Sequence, residues 1–477
     1  MIWLSLLLLG ILPYFIVKYS VVYVTHTPWW LLWGVLMAPA VMMATWASAM
    51  GTEEPIPPPL VIAAFVISSV LYISLVRMNP KQPASAKATP APPELLSLNK
   101  DEESQLRVCF PWSIYFLQEV ECKPQAIICR GQLRAETKLA YETVRDNVQT
   151  QFGDRYLVIF QIGAKNQPFF ALVPNPDRDR PQKKLTYPGL ALGLFALTLV
   201  TTTFAGTELV KTELTRQAAT NPQVLWAGLP YAIAILLILG VHEFGHYFTA
   251  RYYKIKATLP YFIPLPFSFG TFGAFIQMRS PMPNRVALFD VGIAGPIAGL
   301  VATLPLLIWG LLHSSLTGLP ANPNVLDLHA FNPSVSVLFA LISKAVFQAD
   351  LTMAQVIDLH PVAIAGWLGL IVTAFNLMPI GQLDGGHIVH AMFGHRQGIM
   401  IGQIARLLIL LLSLIQPLLL VWAFILLWFP VADQPALNDV SELDNRRDFM
   451  GLVSLGVMLL IILPLPHSIA HLLLGTS

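Results

Sequence analysis

Long apolar runs separated by short polar breaks make up most of the chain. The stretches 2–17, 29–50, 59–76, 185–205, 225–251, 286–312, 362–379, 399–429 and 450–466 are poor in charge. They meet or approach the roughly 20 residues that a helix needs to cross a bilayer. The eighth run is interrupted by Pro417 and is long enough for one kinked span or a tight hairpin of two, because neighbours in a membrane bundle satisfy the carbonyl that a proline frees. The first run, MIWLSLLLLG, lacks the basic flank and small-residue cleavage site of a signal peptide and reads as a retained anchor. The pattern predicts an all-α polytopic membrane protein with about 8–10 transmembrane helices.

One sizeable polar region, 79–184, interrupts the series, and it starts as a Pro/Ala/Ser-rich linker, NPKQPASAKATPAPPE. Beyond the linker, RVCFPWSIYFLQEV and QAIICRGQL are rich in β-branched and aromatic residues, and LRAETKLAYETVRDNVQTQF has helical periodicity. YLVIFQI and FFALV read as two strands joined by a Gly-Ala-Lys-Asn turn. A small α+β domain is expected, without catalytic spacing of its own. The expected organisation is therefore N-terminal transmembrane helices at 1–77, a linker plus small α+β domain at 78–184, a transmembrane core at 185–395 and C-terminal transmembrane helices at 396–477.

Composition agrees with the pattern: 55% of the 477 residues are hydrophobic and only 12% charged, too apolar a balance for an ordinary soluble enzyme. A net charge of +2 with no long basic run excludes a nucleic-acid partner. The three cysteines, Cys109, Cys122 and Cys129, are odd in number and lack metal or redox spacing, so they read as reduced thiols. Basic residues cluster at Arg77, Lys81, Arg178, Arg180, Lys183 and Lys184, again at Arg251, Lys254, Lys256, Arg279 and Arg285, and at Arg396 and Arg406. The loops GTEEPIPP and 312–361 carry mostly acids. The positive-inside bias puts the small domain and the basic loops on the cytoplasmic side.

Charge then matters where it is least expected, at the end of the fifth run, in VHEFGHYFTARYY. Residues four apart on a helix share a face about one turn, roughly 6 Å, apart, so His242 and His246 can bind one ion. Glu243 lies about 100 degrees round the helix, where it reaches a water on that ion. Two histidines as ligands with a glutamate as general base is the zincin arrangement. The pair His467 and His471 has the spacing without the glutamate and reads as interfacial. A catalytic zinc takes three protein ligands and leaves one position open; the third must be a distant carboxylate, histidine or cysteine at the same depth. The seventh run ends VTAFNLMPIGQLDGGHIVH, and Asp384 reaches the same side of the membrane there, among helix-breaking Pro379, Gly385 and Gly386. His387 reads as a loop histidine or a group behind Asp384. Asn376, Gln382 and His387 outline a polar path for water.

HEFGH, FDVGIAGPIAGL and FNLMPIGQLDGG together resemble the site-2 protease family of zinc intramembrane metalloproteases. The wording PYFIPLPFSFGTFGAFIQMRSPMPNRVALFDVGIAGP is similar to the subgroup of cyanobacteria and chloroplasts whose plant members include the ethylene-dependent gravitropism-deficient and yellow-green proteins. The resemblance is specific over 226–387. It implies Zn2+ held by His242, His246 and Asp384, catalysis by Glu243, and Asn376 positioning substrate or stabilising the oxyanion. It also implies a zinc-dependent endopeptidase that cuts transmembrane helices of membrane-protein substrates near the cytoplasmic face. FGTFGAFIQMRS offers either a strand edge for an unwound substrate or a structural re-entrant hairpin, and Gly295 and Gly299 form a Gly-x-x-x-Gly suited to close helix packing. The rival classes are a catalytically silent scaffold or chaperone homologue and a metal transporter. Without an Arg/Ser-rich transit peptide, a bacterial plasma or thylakoid membrane is expected rather than a plastid one.

Overall fold

A computed structural model of the chain describes residues 25, 27–50, isolated positions within 60–78, 98–163, 166–175, 186–210, 222–265, 269–319, 328–415, isolated positions within 419–426, and 432–474. The apolar run at 2–17, the Pro/Ala linker and the turn at Pro417 lie outside the described residues. The chain forms two compact units. In the first, helix α1 (Trp29–Met50) is apolar on all sides and contains Pro39. Two hydroxyls tie it to the helical positions between 60 and 78: Thr27 Oγ1 donates to the Leu75 carbonyl (2.8 Å) and Ser68 Oγ to that of Val35 (2.7 Å).

The second unit begins with the expected α+β domain. Helix α2 (Lys100–Val108) opens it and β1 (Tyr115–Cys122), β2 (Ile127–Leu133), α3 (Thr137–Phe152), β3 (Tyr156–Ile162) and β4 (Pro168–Pro174) follow. The strands form one antiparallel sheet in the order β1-β2-β4-β3. Alternate residues of β3 point into the core, where Phe160 stacks on Phe170 with ring centroids 4.1 Å apart. The apolar face of α3, Ala140, Tyr141, Val144 and Val148, is buried, the one-sided burial that its 3.6-residue period dictates. Cys109 and Cys129 are buried here, and burial pushes their thiols up to about 11 and about 12, so both stay protonated and inert. Helix α2, not expected from the apolar pattern, rests on a capping box: Asn99 caps the first turn while Glu102 accepts from the Asn99 amide.

The membrane part of this unit is helical. Among the described residues, five helices are long and apolar enough to cross a membrane, α1 included. The other four are α4 (Pro188–Val210), α5 (Leu229–Tyr252) after a 3-10 turn, α6 (Arg285–Leu312), and, past the segments described next, α10 (His395–Ile415). Between α5 and α6 lies an antiparallel hairpin of β5 (Tyr261–Pro264) and β6 (Thr271–Phe275), so the strand-like FGTFGAFIQMRS is half of a hairpin. The acidic loop after α6 is structured: β7 (Ser315–Gly318) pairs with β8 (Gln355–Asp358) around the short apolar helix α7 (Val337–Phe347). Its 11 residues fall below a span's length, which kept it out of the hydropathy pattern. Helix α8 (Pro361–Asn376) starts on Pro361, which no helix donor misses, and gives way after Asn376 to the turn leading into α9 (Asp384–Phe393). Helices α11 (Asn445–Ile462) and α12 (His467–Leu474) end the chain's described part.

Helix α6 is the axis of the core, packed against α5, α8 and α9. Its start is fixed by Asn284, whose side chain accepts from the Ala287 amide at 2.8 Å, a cap worth about 1 kcal/mol. Its buried C-terminal side brings Gly310 against the backbone of Ala363 on α8.

Candidate metal centre

The site forms where α5, α6 and the α8–α9 turn meet. On α5 the last three turns carry His242, Glu243 and His246, buried at 3%, 7% and 6% exposure. Apolar residues surround them on that helix, so the polar groups turn toward α6 and α9. Helix α8 stops at Asn376, Gly381 takes a positive φ of 55°, and the chain restarts as α9 with Asp384 as its first residue. Gly385 and Gly386 allow this: a Cβ at either would overlap the backbone carbonyls of Leu377 or Gly381. The carboxylate is thereby delivered to the two imidazoles.

His242 Nε2 lies 3.2 Å from His246 Nε2, and Asp384 Oδ2 lies 3.4 Å and 3.3 Å from them. Four ligands about 2.0–2.1 Å from a tetrahedral zinc stand about 3.3 Å from one another, so the three atoms have the spacing of three corners of that tetrahedron. Among the described residues this is the one set of three such side chains close enough to share an ion. Asp384 Oδ2 is buried without a hydrogen-bond donor of good geometry, a costly condition that a cation relieves. His246 Nδ1 donates to the Val291 carbonyl at 2.7 Å, which leaves the Nε2 lone pair facing the site. The residues present fit a zinc ion.

Asn376 Nδ2 stands 3.2 Å from His242 Nε2, beside the same ligand atoms. The Glu243 carboxylate faces the Ile276 backbone amide just past β6, which joins the hairpin to the motif. Gln382 is exposed. His387 is not a loop residue: it lies on α9 one turn after Asp384, and its Nδ1 meets Asp433 at 2.8 Å. His471 is exposed on α12, away from any three-ligand group.

The Gly-x-x-x-Gly of α6 does more than admit a neighbouring helix. A Cβ at Gly295 would enter the His246 ring, and one at Gly299 would come within 2.9 Å of His242 Nδ1. Gly292 faces the His387 Cβ and the Asp384 carbonyl at 3.1 and 3.3 Å. One face of α6 is thus kept bare for both motif segments, the two histidines of α5 and the start of α9. Gly295→Ala is expected to displace the His246 ring and weaken metal binding about tenfold or more, because overpacking a tight contact costs about 1–3 kcal/mol. Gly456, with open space around it, is the control: metal content after dialysis should fall for Gly295→Ala and hold for Gly456→Ala.

Sequence reasoning missed a second polar cluster beside this site. His390 on α9 meets Asp433 and Asp439, and Arg285 binds the Ala391 and Met392 carbonyls at the end of α9. The available signal was faint: His387 and His390 three apart on one helix face, and two aspartates in a loop without periodicity.

Residues 230–420 match the family model of Peptidase family M50, and residues 104–180 match that of the EGY3 middle domain. Over the matched residues the membrane core is thus similar to the M50 peptidases, and the small domain before it to the EGY3 proteins. The chain is 35% identical to "Probable zinc metalloprotease EGY1, chloroplastic" of Arabidopsis thaliana over 246 residues, 51% of this chain and 44% of that protein. It is 28% identical to the EGY2 protein of the same name type from Arabidopsis thaliana over 363 residues, 75% of this chain and 64% of the relative. It is 25% identical to EGY3 of Oryza sativa subsp. indica over 390 residues, 77% and 64% of the two chains. The matches span less than two thirds of these relatives. No solved structure matches the chain. The expectation of a bacterial membrane is corrected: the relatives are plant proteins named chloroplastic, which points to a plastid membrane. The start of the given sequence is no guide, since a transit peptide is a removable leader outside the folded core.

Proposed function

We propose that the chain is a zinc-dependent intramembrane endopeptidase that cleaves transmembrane helices of membrane-protein substrates near the face carrying the basic loops. In this reading 185–395 is its catalytic core and 78–184 an appended domain. The observation that carries the reading is the convergence of His242 Nε2, His246 Nε2 and Asp384 Oδ2 at 3.2 to 3.4 Å on buried helix ends. These three side chains are the ligands. When bound, zinc supplies Lewis acidity toward the scissile carbonyl and acidifies a water. Glu243 takes the proton of the attacking water and returns it to the leaving amine. Asn376 offers its amide N–H groups to the substrate carbonyl, whose developing negative charge a fixed donor stabilises. The hairpin supports the same reading, since the edge of β6, next to the Ile276 amide that faces Glu243, can pair with an extended substrate backbone.

A helical substrate hides its carbonyls in its own hydrogen bonds, so it must unwind where it is cut. His242 and His246 lie within the last three turns of α5, near the basic end. A Gly-Gly or Asn-Pro pair moved along a model substrate span should speed cleavage most in the third of the span nearest that face, because local unwinding costs least at such residues. Reconstituted protein and a series of such substrates test this. A rate indifferent to the pair's depth, or highest at the opposite end, removes the orientation or the unwinding step. Bound zinc without any cleavage favours the silent scaffold.

A further inference from the structure

The segment 432–441 crosses the second unit as a strap with a partner on each edge. Toward the middle domain, the Phe160 amide donates to the Leu437 carbonyl (2.7 Å) and the Asp439 amide to the Phe160 carbonyl (2.9 Å), so the strap extends the sheet beyond β3 in parallel. Toward the membrane core, the Leu437 and Asn438 amides donate to the Met282 and Pro283 carbonyls (2.9 and 3.0 Å), just before α6. Val440 is buried in the middle domain's own core. The strap's side chains then reach α9. Asp433 Oδ2 lies 2.8 Å from both His387 Nδ1 and His390 Nδ1, and Asp439 Oδ1 lies 2.9 Å from His390 Nε2.

A neutral imidazole has one N–H. His390 faces a carboxylate with each ring nitrogen at hydrogen-bond distance, so both bonds form only when the ring carries both protons. His390, Asp433 and Asp439 are buried at 1%, 8% and 7% exposure, where an unmet donor or acceptor is costly. We propose that His390, gripped as an imidazolium between Asp433 and Asp439, is the positioning residue that seats the helix carrying Asp384, and that the strap bearing the two aspartates makes the middle domain part of that seat. The value of this for the metal site rests on the function proposed above; the seat itself does not.

The groups facing His390 are Asp433 and Asp439 from the strap, His387 from its own helix, His395 from α10 with ring centroids 5.0 Å apart, and Arg285 from α6 at the carbonyls of Ala391 and Met392. Burial alone would push the His390 ring down, but the two carboxylates outweigh it and hold the ring up at about 9. A folded value above the unfolded one, about 6.5, means a contribution fully present below that unfolded value and lost as pH rises through about 9.

The test is hydrogen exchange on the full-length protein in lipid nanodiscs, with α9 amides normalised to their unfolded rates from about pH 7 to about pH 10. In the wild type, protection of α9 should fall by about tenfold or more above the His390 transition. Asp439→Asn should stay protected throughout, because an asparagine amide can donate to the deprotonated Nε2. His390→Gln should be unprotected at every pH, and Val440→Ala should loosen α9 together with β3. A flat wild-type profile, or α9 as protected in His390→Gln as in the wild type, overturns the seat; should His390→Gln fail to fold, the wild-type and Asp439→Asn profiles decide alone. Loosening of β3 without α9 in Val440→Ala removes the middle domain from it. Zinc release to a chelator, measured on the same samples, should be faster wherever α9 is loosened; equal release overturns the positioning of Asp384. A wild type that binds no zinc refutes the proposed function, and exchange still judges the seat.

Discussion

Glu243→Gln is expected to leave zinc bound at full stoichiometry and to slow single-turnover cleavage of a model transmembrane substrate by about 10²–10⁴-fold, the usual contribution of a positioned acid–base group. The amide fills the same space, keeps the helix and cannot accept a proton. Glu243 is buried on the helix face next to the ligand pair, with its carboxylate near the Ile276 amide rather than among the ligand atoms. Zinc content by mass spectrometry and product formation by gel shift measure the two halves separately. Loss of zinc together with cleavage would make Glu243 a ligand; retention of both would leave the chemistry without its base and favour a different residue.

The second large effect belongs to the ligand set. His242→Ala, His246→Ala and Asp384→Ala should each lower zinc affinity by more than about 100-fold, since even partners behind a ligand are worth about 10–100-fold. His467→Ala and His471→Ala should change nothing, because among the described residues the three-ligand set is His242, His246 and Asp384, and His471 lies exposed on the last helix. Equilibrium dialysis against a zinc buffer reads all five. Full occupancy after Asp384→Ala would move the third ligand elsewhere, and His387, already bound to Asp433, would be a poor replacement.

The candidate site was legible because each of its parts is local. The four-residue spacing of His242 and His246 puts both on one face whatever surrounds the helix, and the Pro and Gly signals around Asp384 announce a break at the right depth. Helix α2 was equally legible in principle, through Asn99 and Glu102, but its apolar content is too slight for a periodicity argument. The glycines of α6 were seen and given a general packing role. Only tertiary structure reveals that Gly295 and Gly299 face two imidazoles, because a missing side chain carries no sign of what occupies its space. Asp433 and Asp439 were invisible as a pair for His390. They lie in an aperiodic segment and acquire meaning only through contacts distant in the sequence, which a single chain read in order cannot supply.

The strap also sets an order of assembly. Ser441 meets Thr137 across a sequence separation of 304 residues, and the edge of β3 waits for the strap over most of that interval. During synthesis the motif helix α5 and even Asp384 leave the ribosome while the segment that completes the sheet and holds α9 is still unmade. Closure over so long a stretch is slow relative to local helix formation. A growing chain therefore carries the peptidase motifs for a time without the strap, and the segment that joins the small domain to the membrane core is made only after both of them.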